Sequence, residues 1–173
     1  MHGAPLSRMQ AAGLRPNWGT ALLGLTSVGQ RGQLLTLADV DAFATERLAT
    51  DEAAAVRVLA ELSDGLERTR EVLRELALRA RSDAALEARK WRALLLEDLL
   101  AALKSERDPT QGLIRFTEFW AEFDYPLDSP HTLQGVGNTM TPDEYYTEEV
   151  WTSALARHHT WLQDEMTKLR DAQ

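Results

Sequence analysis

The sequence predicts an all-α protein: a single-domain helical bundle of about seven helices with a long irregular loop before the C-terminal helix. Ala, Leu, Glu and Arg are abundant and recur at helical spacing, whereas Val, Ile and Thr do not cluster in the alternating runs typical of strands. Most of the helical stretches are bounded by capping residues, glycine or proline. The 173 residues are 44% apolar and 27% charged, which indicates one globular domain with a core rather than a disordered chain.

The N-terminal residues 1–16 differ from the rest of the chain. They contain no continuous apolar stretch and no clear cleavage site, so we expect a flexible lead-in rather than a signal peptide. Residues 17–173 are predicted to make the single helical domain. No apolar run approaches the length of a membrane span, and the chain has no cysteine. We therefore expect a cytoplasmic protein without disulfides, thiolate metal sites or a thiol nucleophile.

Capping residues place the starts of five of the seven predicted helices. Each of these residues precedes a helical pattern and can accept a hydrogen bond from a backbone amide of the first turn: Asn17, Thr36, Ser82, Asp108 and Thr141. The predicted helices cover about residues 18–28, 36–48, 51–62, 64–81, 82–105, 108–125 and 141–170.

Breaker residues set the ends of these helices. Gly29 and Gly65 end two of them, and Pro126 disfavours helical geometry at the residue before it. The fifth helix is apolar around most of its circumference, which is typical of the most buried helix in a bundle. Residues 126–141 hold two prolines, two glycines and one asparagine, which predicts a long irregular loop.

The net charge of −8 is concentrated in one part of the chain. Residues 116–156, called the acidic segment below, contain eight acidic residues and no lysine or arginine. Arg115 and Arg157 flank the segment on either side. The rest of the chain holds 19 acidic and 19 basic residues. This charge argues against a nucleic-acid-binding protein, which needs lysine and arginine against phosphates.

The acidic segment also contains eight of the twelve aromatic residues. Trp120 and Phe123 fit the inward face of their helix. Adjacent positions on a helix diverge by about 100°, so the other aromatic side chains of the segment cannot all point inward as well. These are Phe119, Tyr125, Tyr145 and Tyr146. Exposed aromatic rings among acids are typical of a docking surface for a basic protein, in which rings anchor the partner and charge speeds association. An ordinary acidic surface over an aromatic-rich core is the alternative.

Two histidine patterns could carry chemistry, and each has a simpler structural explanation. His158 and His159 point about 100° apart on a helix and cannot bind one metal ion together, so we interpret His158 as a hydrogen-bonded core residue and His159 as a flanking one. The stretch Asp128-Ser129-Pro130-His131 contains the letters of a catalytic triad. Triad residues converge from separate elements, however, so we expect Asp128 and Ser129 to bond nearby backbone amides and fix the loop.

Carboxylates form the third candidate pattern. Glu118 and Glu122 are spaced i, i+4 on one helix, with Asp124 and Asp128 close in sequence. Such a group could bind a cation or work as an acid/base pair. A solvated helix face is the commoner explanation, and no loop with the spacing of a calcium site is present.

The stretch FTEFWAEFDYPLDSPH, from Phe116 to His131, resembles the segment shared by a family of uncharacterised bacterial proteins, domain of unknown function 2247. Trp18-Gly19, residues 32–40 and the helix around Trp91 are similar in order, so the resemblance covers the chain from about residue 17. The family brings no established activity. Its members resemble the small proteins encoded beside bacterial contact-dependent or polymorphic toxins, which often serve as immunity proteins, and the resemblance implies this role.

We therefore predict a non-enzymatic protein-binding module, an immunity protein or antitoxin that neutralises a bacterial toxin, with no catalytic residue, no metal and no cofactor. The predicted partner is a basic protein such as a nuclease-type toxin, rather than nucleic acid or a membrane, and a homodimer is compatible with this role. The predicted contact residues are Glu118, Glu122, Asp124, Tyr125, Asp128, Glu144, Tyr145, Glu148 and Glu149.

The sequence is compatible with two other functions. One is a small metal-dependent hydrolase that uses the carboxylates of residues 118–131 together with His131. The other is a homo-oligomeric helical scaffold without a toxin partner.

Overall fold

The computed structural model describes residues 5–172, and this part of the chain is helical and contains no strand. One isolated bridge pairs Val28 with Arg31. The all-α prediction is therefore confirmed, with nine α-helices in the described residues rather than seven, and one short 3-10 turn at Leu62–Asp64. The helices are α1 (Pro5–Ala11), α2 (Trp18–Thr26), α3 (Leu37–Arg47), α4 (Glu52–Glu61), α5 (Leu66–Arg79), α6 (Ala84–Leu103), α7 (Pro109–Ala121), α8 (Pro142–Tyr145) and α9 (Glu148–Asp171).

Helix α1 lies inside the segment predicted to be a flexible lead-in. That prediction is wrong from Pro5 onward, because Leu6 and Met9 lie about one helical turn apart and are both buried. Leu14, which follows the helix, is buried as well. Residues 1–4 of the predicted lead-in lie outside the described residues.

The predicted C-terminal helix is divided into α8 and α9. Helix α8 begins as expected, because Thr141 and Glu144 form a reciprocal capping box. It ends after one turn at Tyr145, since Tyr146 has a ψ of 53° and leaves helical geometry. Helix α9 then begins at Glu148.

Four of the five predicted caps are confirmed. Each accepts a hydrogen bond from a first-turn amide of its helix: Asn17, Thr36, Asp108 and Thr141. The prediction for Ser82 is wrong, because Asp83 Oδ1 accepts from the backbone amides of Ala85 and Leu86 instead. The Ser82 hydroxyl donates to Asn17 Oδ1 at 3.3 Å.

The chain divides into two compact units. The first unit comprises residues up to Arg92 together with those from Leu169, and the second comprises Ala93–Lys168. In the first unit α2 packs against α5, α3 packs against α4 and α1, and α4 packs against α5. Trp18 and Phe43 meet edge to face in this core, with ring centroids 5.3 Å apart. The single domain predicted over residues 17–173 stays a prediction.

A buried ion pair lies in the first unit. The side chains of Glu87 and Lys90 are only 1% and 2% exposed, and Lys90 Nζ donates to Glu87 Oε1 at 3.0 Å. The same carboxylate accepts from Asn17 Nδ2 at 2.9 Å and from the Thr20 hydroxyl. Lys90 Nζ also donates to the carbonyl oxygen of Arg15 at 2.8 Å. This network ties the chain before α2 to α6 and satisfies both charges.

Gly24 is required by close packing in the same unit. A Cβ at this position would lie 2.4 Å from Trp91 Cζ2 and 2.7 Å from Leu35 side-chain atoms. We expect Gly24→Ala to lower the free energy of unfolding by about 1–3 kcal/mol, because the buried indole must shift. Gly32→Ala is the matched control, since nothing lies within 4 Å of its added Cβ. Urea denaturation of both variants checks this; an equal loss in the two would contradict the packing explanation.

The core of the second unit is rich in leucine and aromatic side chains. It is formed by the end of α6, the inward face of α7, Tyr145 of α8, and Trp151 and Ala154 of α9. Helix α6 has more buried residues than any other helix of residues 5–172, as its apolar circumference predicted. Gly112 lets the Trp151 ring pack closely against α7, because a Cβ at position 112 would lie only 2.6 Å from that ring.

Candidate functional site

Helix α7 forms the base of the candidate site in the second unit. Asp108 caps it by accepting from the Thr110 amide at 2.9 Å, and Pro109 occupies its first turn. Its inward face buries Leu113, Phe116, Phe119 and Trp120. The opposite face carries Glu118, which is exposed.

The end of α7 turns sharply without a glycine. The Tyr125 amide donates to the Trp120 carbonyl at 3.0 Å, and the Asp124 amide donates to the Ala121 carbonyl at 3.1 Å. These two bonds are those of a Schellman motif, in which the left-handed position is usually glycine. Here Asp124 has a φ of 55° and Tyr125 a φ of 46°. Left-handed geometry costs roughly 1–2 kcal/mol for a residue with a Cβ.

Hydrogen bonds fix the irregular loop of residues 126–141. The Ser129 amide donates to the Pro126 carbonyl at 2.8 Å, and Ser129 Oγ accepts from the His131 amide at 3.2 Å. The role predicted for Ser129 is therefore confirmed. Further along, Asn138 Nδ2 donates to the Leu133 carbonyl at 2.7 Å, which ties the glycine-containing tip to the loop. The loop is irregular, as predicted.

Two histidines lie against the aromatic core of this unit. The His158 ring stacks on Phe116, with centroids 3.7 Å apart and planes 6° from parallel. Its Nδ1 bonds the Ala154 carbonyl at 2.7 Å, and its Nε2 accepts from Trp120 Nε1 at 2.8 Å. This arrangement requires the neutral ring with the proton on Nδ1. Burial lowers the pKa of His158 to about 3. The prediction of a hydrogen-bonded core histidine is confirmed, and His159 is exposed.

His131 occupies the neighbouring position. Its Nε2 lies 2.8 Å from Thr117 Oγ1, and its ring centroid is 5.7 Å from that of His158. Burial, with the Arg157 charge as a smaller cause, lowers its pKa to about 4. Because Thr117 also donates to the Leu113 carbonyl at 3.1 Å, the hydroxyl accepts from His131. His131 therefore braces the loop against α7.

Most of the predicted contact residues reach the surface. The exposed carboxylates are Glu118, Asp124, Asp128, Glu144, Glu148 and Glu149, and Glu122 is half-buried. Tyr125 is 38% exposed, while its hydroxyl donates to the Thr117 carbonyl at 3.1 Å.

Tyr145 is the predicted contact that the structure contradicts. Its side chain is only 2% exposed, and its hydroxyl donates to the Thr132 carbonyl at 2.6 Å. The same burial raises its pKa. Of the rings expected to divide between the core and the surface, Phe119 and Tyr145 are buried, whereas Tyr125 and Tyr146 are partly exposed.

Basic side chains share space with part of the acidic segment. Glu148 lines a groove of about 740 Å³ together with Lys104 and Arg107. Glu149 lines another groove, of about 610 Å³, together with Arg157. Glu148 and Glu149 therefore line different grooves. Basic side chains from outside the acidic segment lie in the same grooves, so these acids are less isolated from positive charge than the sequence alone indicates.

The net charge of the chain is divided unequally between the two compact units. The second unit contains 14 acidic and five basic residues and so carries a net charge of −9. The first unit contains 13 acidic and 14 basic residues and carries +1. The two values together equal the −8 of the whole chain. The excess negative charge thus belongs to one compact body.

One exposed apolar residue was missed by the sequence reasoning. Leu127 is fully exposed and lies between the left-handed pair Asp124 and Tyr125 and the acidic Asp128. A leucine in a proline-rich loop has no helical or strand periodicity that would assign it to core or surface.

Residues 5–172 contain neither a metal-ligand cluster nor a membrane-spanning helix. No group of three or more histidine, aspartate or glutamate side chains in this range is placed to hold a metal ion. None of the helices in the same range combines the length and apolar composition needed to cross a bilayer.

The chain matches a known protein family over most of its length. A family model described as an uncharacterised protein conserved in bacteria, DUF2247, matches residues 6–166. The chain belongs to the DUF2247 family. The resemblance noted in residues 116–131 is therefore confirmed, and it extends into α1. No curated protein and no solved structure matches the chain. In this DUF2247 protein the candidate site comprises the exposed acids of the second unit and the turn after α7.

Proposed function

We propose that this chain is a non-enzymatic protein-binding module that neutralises a basic bacterial toxin, as an immunity protein does, and that it acts in the cytoplasm. The charge partition supports the proposal most strongly, since the second unit carries −9 and the first unit +1. A compact acidic body attracts a basic protein over a distance of about one Debye length, roughly 8–10 Å at physiological salt.

The class of partner follows from the same charge. A nuclease-type toxin needs a basic surface to hold the phosphate backbone of its substrate. An acidic protein that docks on this surface blocks the substrate without any chemistry of its own. Exposed carboxylates on α7 and α9, among them Glu118, Glu148 and Glu149, are available for such docking.

The other two functions have less support. A hydrolase that uses His131 would need that ring to face substrate, whereas it bonds Thr117 and packs near Phe116. A homo-oligomer built on the second unit would bring two bodies of −9 together, and like charges oppose this approach.

Two charge-reversal variants test the proposal. The first, Glu118→Lys/Glu148→Lys/Glu149→Lys, changes exposed acids of the second unit. Glu144 is left unchanged, because it caps α8. The control, Asp41→Lys/Glu46→Lys/Glu52→Lys, makes the same change in total charge on exposed positions of the first unit.

Each purified protein serves as bait in an extract of the bacterium that encodes it. We expect the wild-type chain and the control to retain a basic protein that is released by salt, and the first variant to lose it. Retention of that protein by the first variant, or capture of acidic proteins alone by the wild-type chain, would contradict the proposal.

A further inference from the structure

The turn after α7 presents Leu127 as an isolated apolar side chain among acids. Pro126 and Ser129 close a turn through a 2.8 Å hydrogen bond, and Leu127 and Asp128 occupy its tip. Leu127 is fully exposed, and Asp124 and Asp128 on either side of it are exposed as well.

Hydrogen bonds fix the backbone of this turn at both ends. The Schellman bonds of Asp124 and Tyr125 fix its start, and the Tyr125 hydroxyl anchors it to the Thr117 carbonyl of α7. Pro126 restricts the backbone at the next residue, and Ser129 fixes the far side through the His131 amide. A backbone that is already fixed before binding loses little conformational freedom in the complex, which favours the use of Leu127 as an anchor.

We propose that Leu127 is the anchor through which this chain docks into an apolar pocket rimmed by lysine or arginine on its protein partner. This inference rests on the proposed function and names the contact that holds the complex together. The leucine supplies the buried centre of the interface, and the carboxylates of Asp124 and Asp128 meet the basic rim.

The negative charges beside Leu127 favour a basic protein partner over an anionic membrane or a second copy of the chain. An anionic membrane surface would be repelled by the aspartates beside Leu127. A second copy of the chain would bring another acidic unit of −9 against the same carboxylates. A pocket with a basic rim satisfies both the leucine and its acidic neighbours.

Site-specific photo-crosslinking in the bacterium that encodes the chain tests the contact. The full chain is expressed with a benzophenone amino acid at position 127, or at Leu78 as a control. Leu78 is 73% exposed on α5 of the first unit. We expect a single basic protein to crosslink at position 127 and not at position 78. No adduct at position 127, or an adduct with lipid, an acidic protein or a second copy, overturns the proposal.

The crosslinked protein is then purified and its binding rates are measured against Leu127→Ser and Leu78→Ser. We expect Leu127→Ser to dissociate about 10- to 100-fold faster with an unchanged association rate, because the anchor is lost and the charges remain. Leu78→Ser should match the wild-type chain. An unchanged dissociation rate for Leu127→Ser overturns the anchor. If the Glu118, Glu148 and Glu149 reversals still slow association in that case, the proposed function survives and only the anchor is lost.

Discussion

Lys90→Met is expected to lower the free energy of unfolding by about 3–5 kcal/mol. The substitution leaves the carboxylate of Glu87 buried at 1% exposure without its cation. Asn17 and Thr20 still donate to that carboxylate, so we expect the lower part of the range. Chemical denaturation followed by tryptophan fluorescence measures the loss.

The double variant separates the cost of the unpaired charge from the loss of packing. Glu87→Gln/Lys90→Met removes both charges, and we expect it to recover much of the stability lost by Lys90→Met. Glu67→Gln is the surface control, because Glu67 is 81% exposed in its pair with Arg70 and should contribute little. If the double variant were as unstable as Lys90→Met, the buried charge would not be the cause.

Acidification is expected to destabilise the protein between pH 6.5 and pH 5 through His131 and His158. In the unfolded chain both rings take up a proton near their ordinary pKa of 6.5, whereas in the folded protein burial holds the pKa of His131 at about 4 and that of His158 at about 3. The contribution of the two neutral rings to the free energy of unfolding is therefore complete above pH 6.5. It is lost as the pH falls toward the pKa values of the folded protein. In this range each ring lowers the free energy of unfolding by about 1.4 kcal/mol per unit decrease in pH.

Single substitutions assign this slope to the two rings. We expect His131→Gln and His158→Gln each to reduce the slope by about half, whatever their effect on stability at pH 7. His159→Gln is the matched control, because His159 is exposed on the same helix as His158. The range from pH 6.5 to pH 5 is chosen because carboxyl groups remain mostly ionised there. An unchanged slope in both core variants would contradict this explanation.

Local signals predicted much of the fold. The caps at Asn17, Thr36 and Thr141 were readable because a side-chain acceptor and the residue three positions later define a helix start by themselves. Helix α1 was missed because its two buried residues, Leu6 and Met9, give too short an apolar pattern in seven residues. The break between α8 and α9 at Tyr146 was missed because no glycine or proline marks it and the helical pattern of the sequence continues through it.

The candidate site was predictable in composition but not in arrangement. The spacing of Glu118 and Glu122 on one helix indicated a solvated face, and Glu118 is exposed. Tyr145 is buried, and its hydroxyl donates to the carbonyl of Thr132, which lies 13 residues earlier in the loop. Leu127 is exposed two residues after the left-handed Tyr125, and no glycine in the sequence marks that turn. Both are tertiary effects that one-dimensional patterns do not encode.

The salt dependence of association tests the central claim most directly. The claim is that the charge of −9 on the second unit guides a basic protein partner to this chain. The measurement is the association rate constant of the purified chain with that partner across a range of salt concentrations. The wild-type chain and the Asp41, Glu46 and Glu52 reversal control should associate at least about tenfold faster at low salt than at high salt. The Glu118, Glu148 and Glu149 reversal variant should associate about tenfold more slowly at low salt, with a flatter salt dependence. Equal rates and equal salt slopes for the two reversal variants would contradict the account.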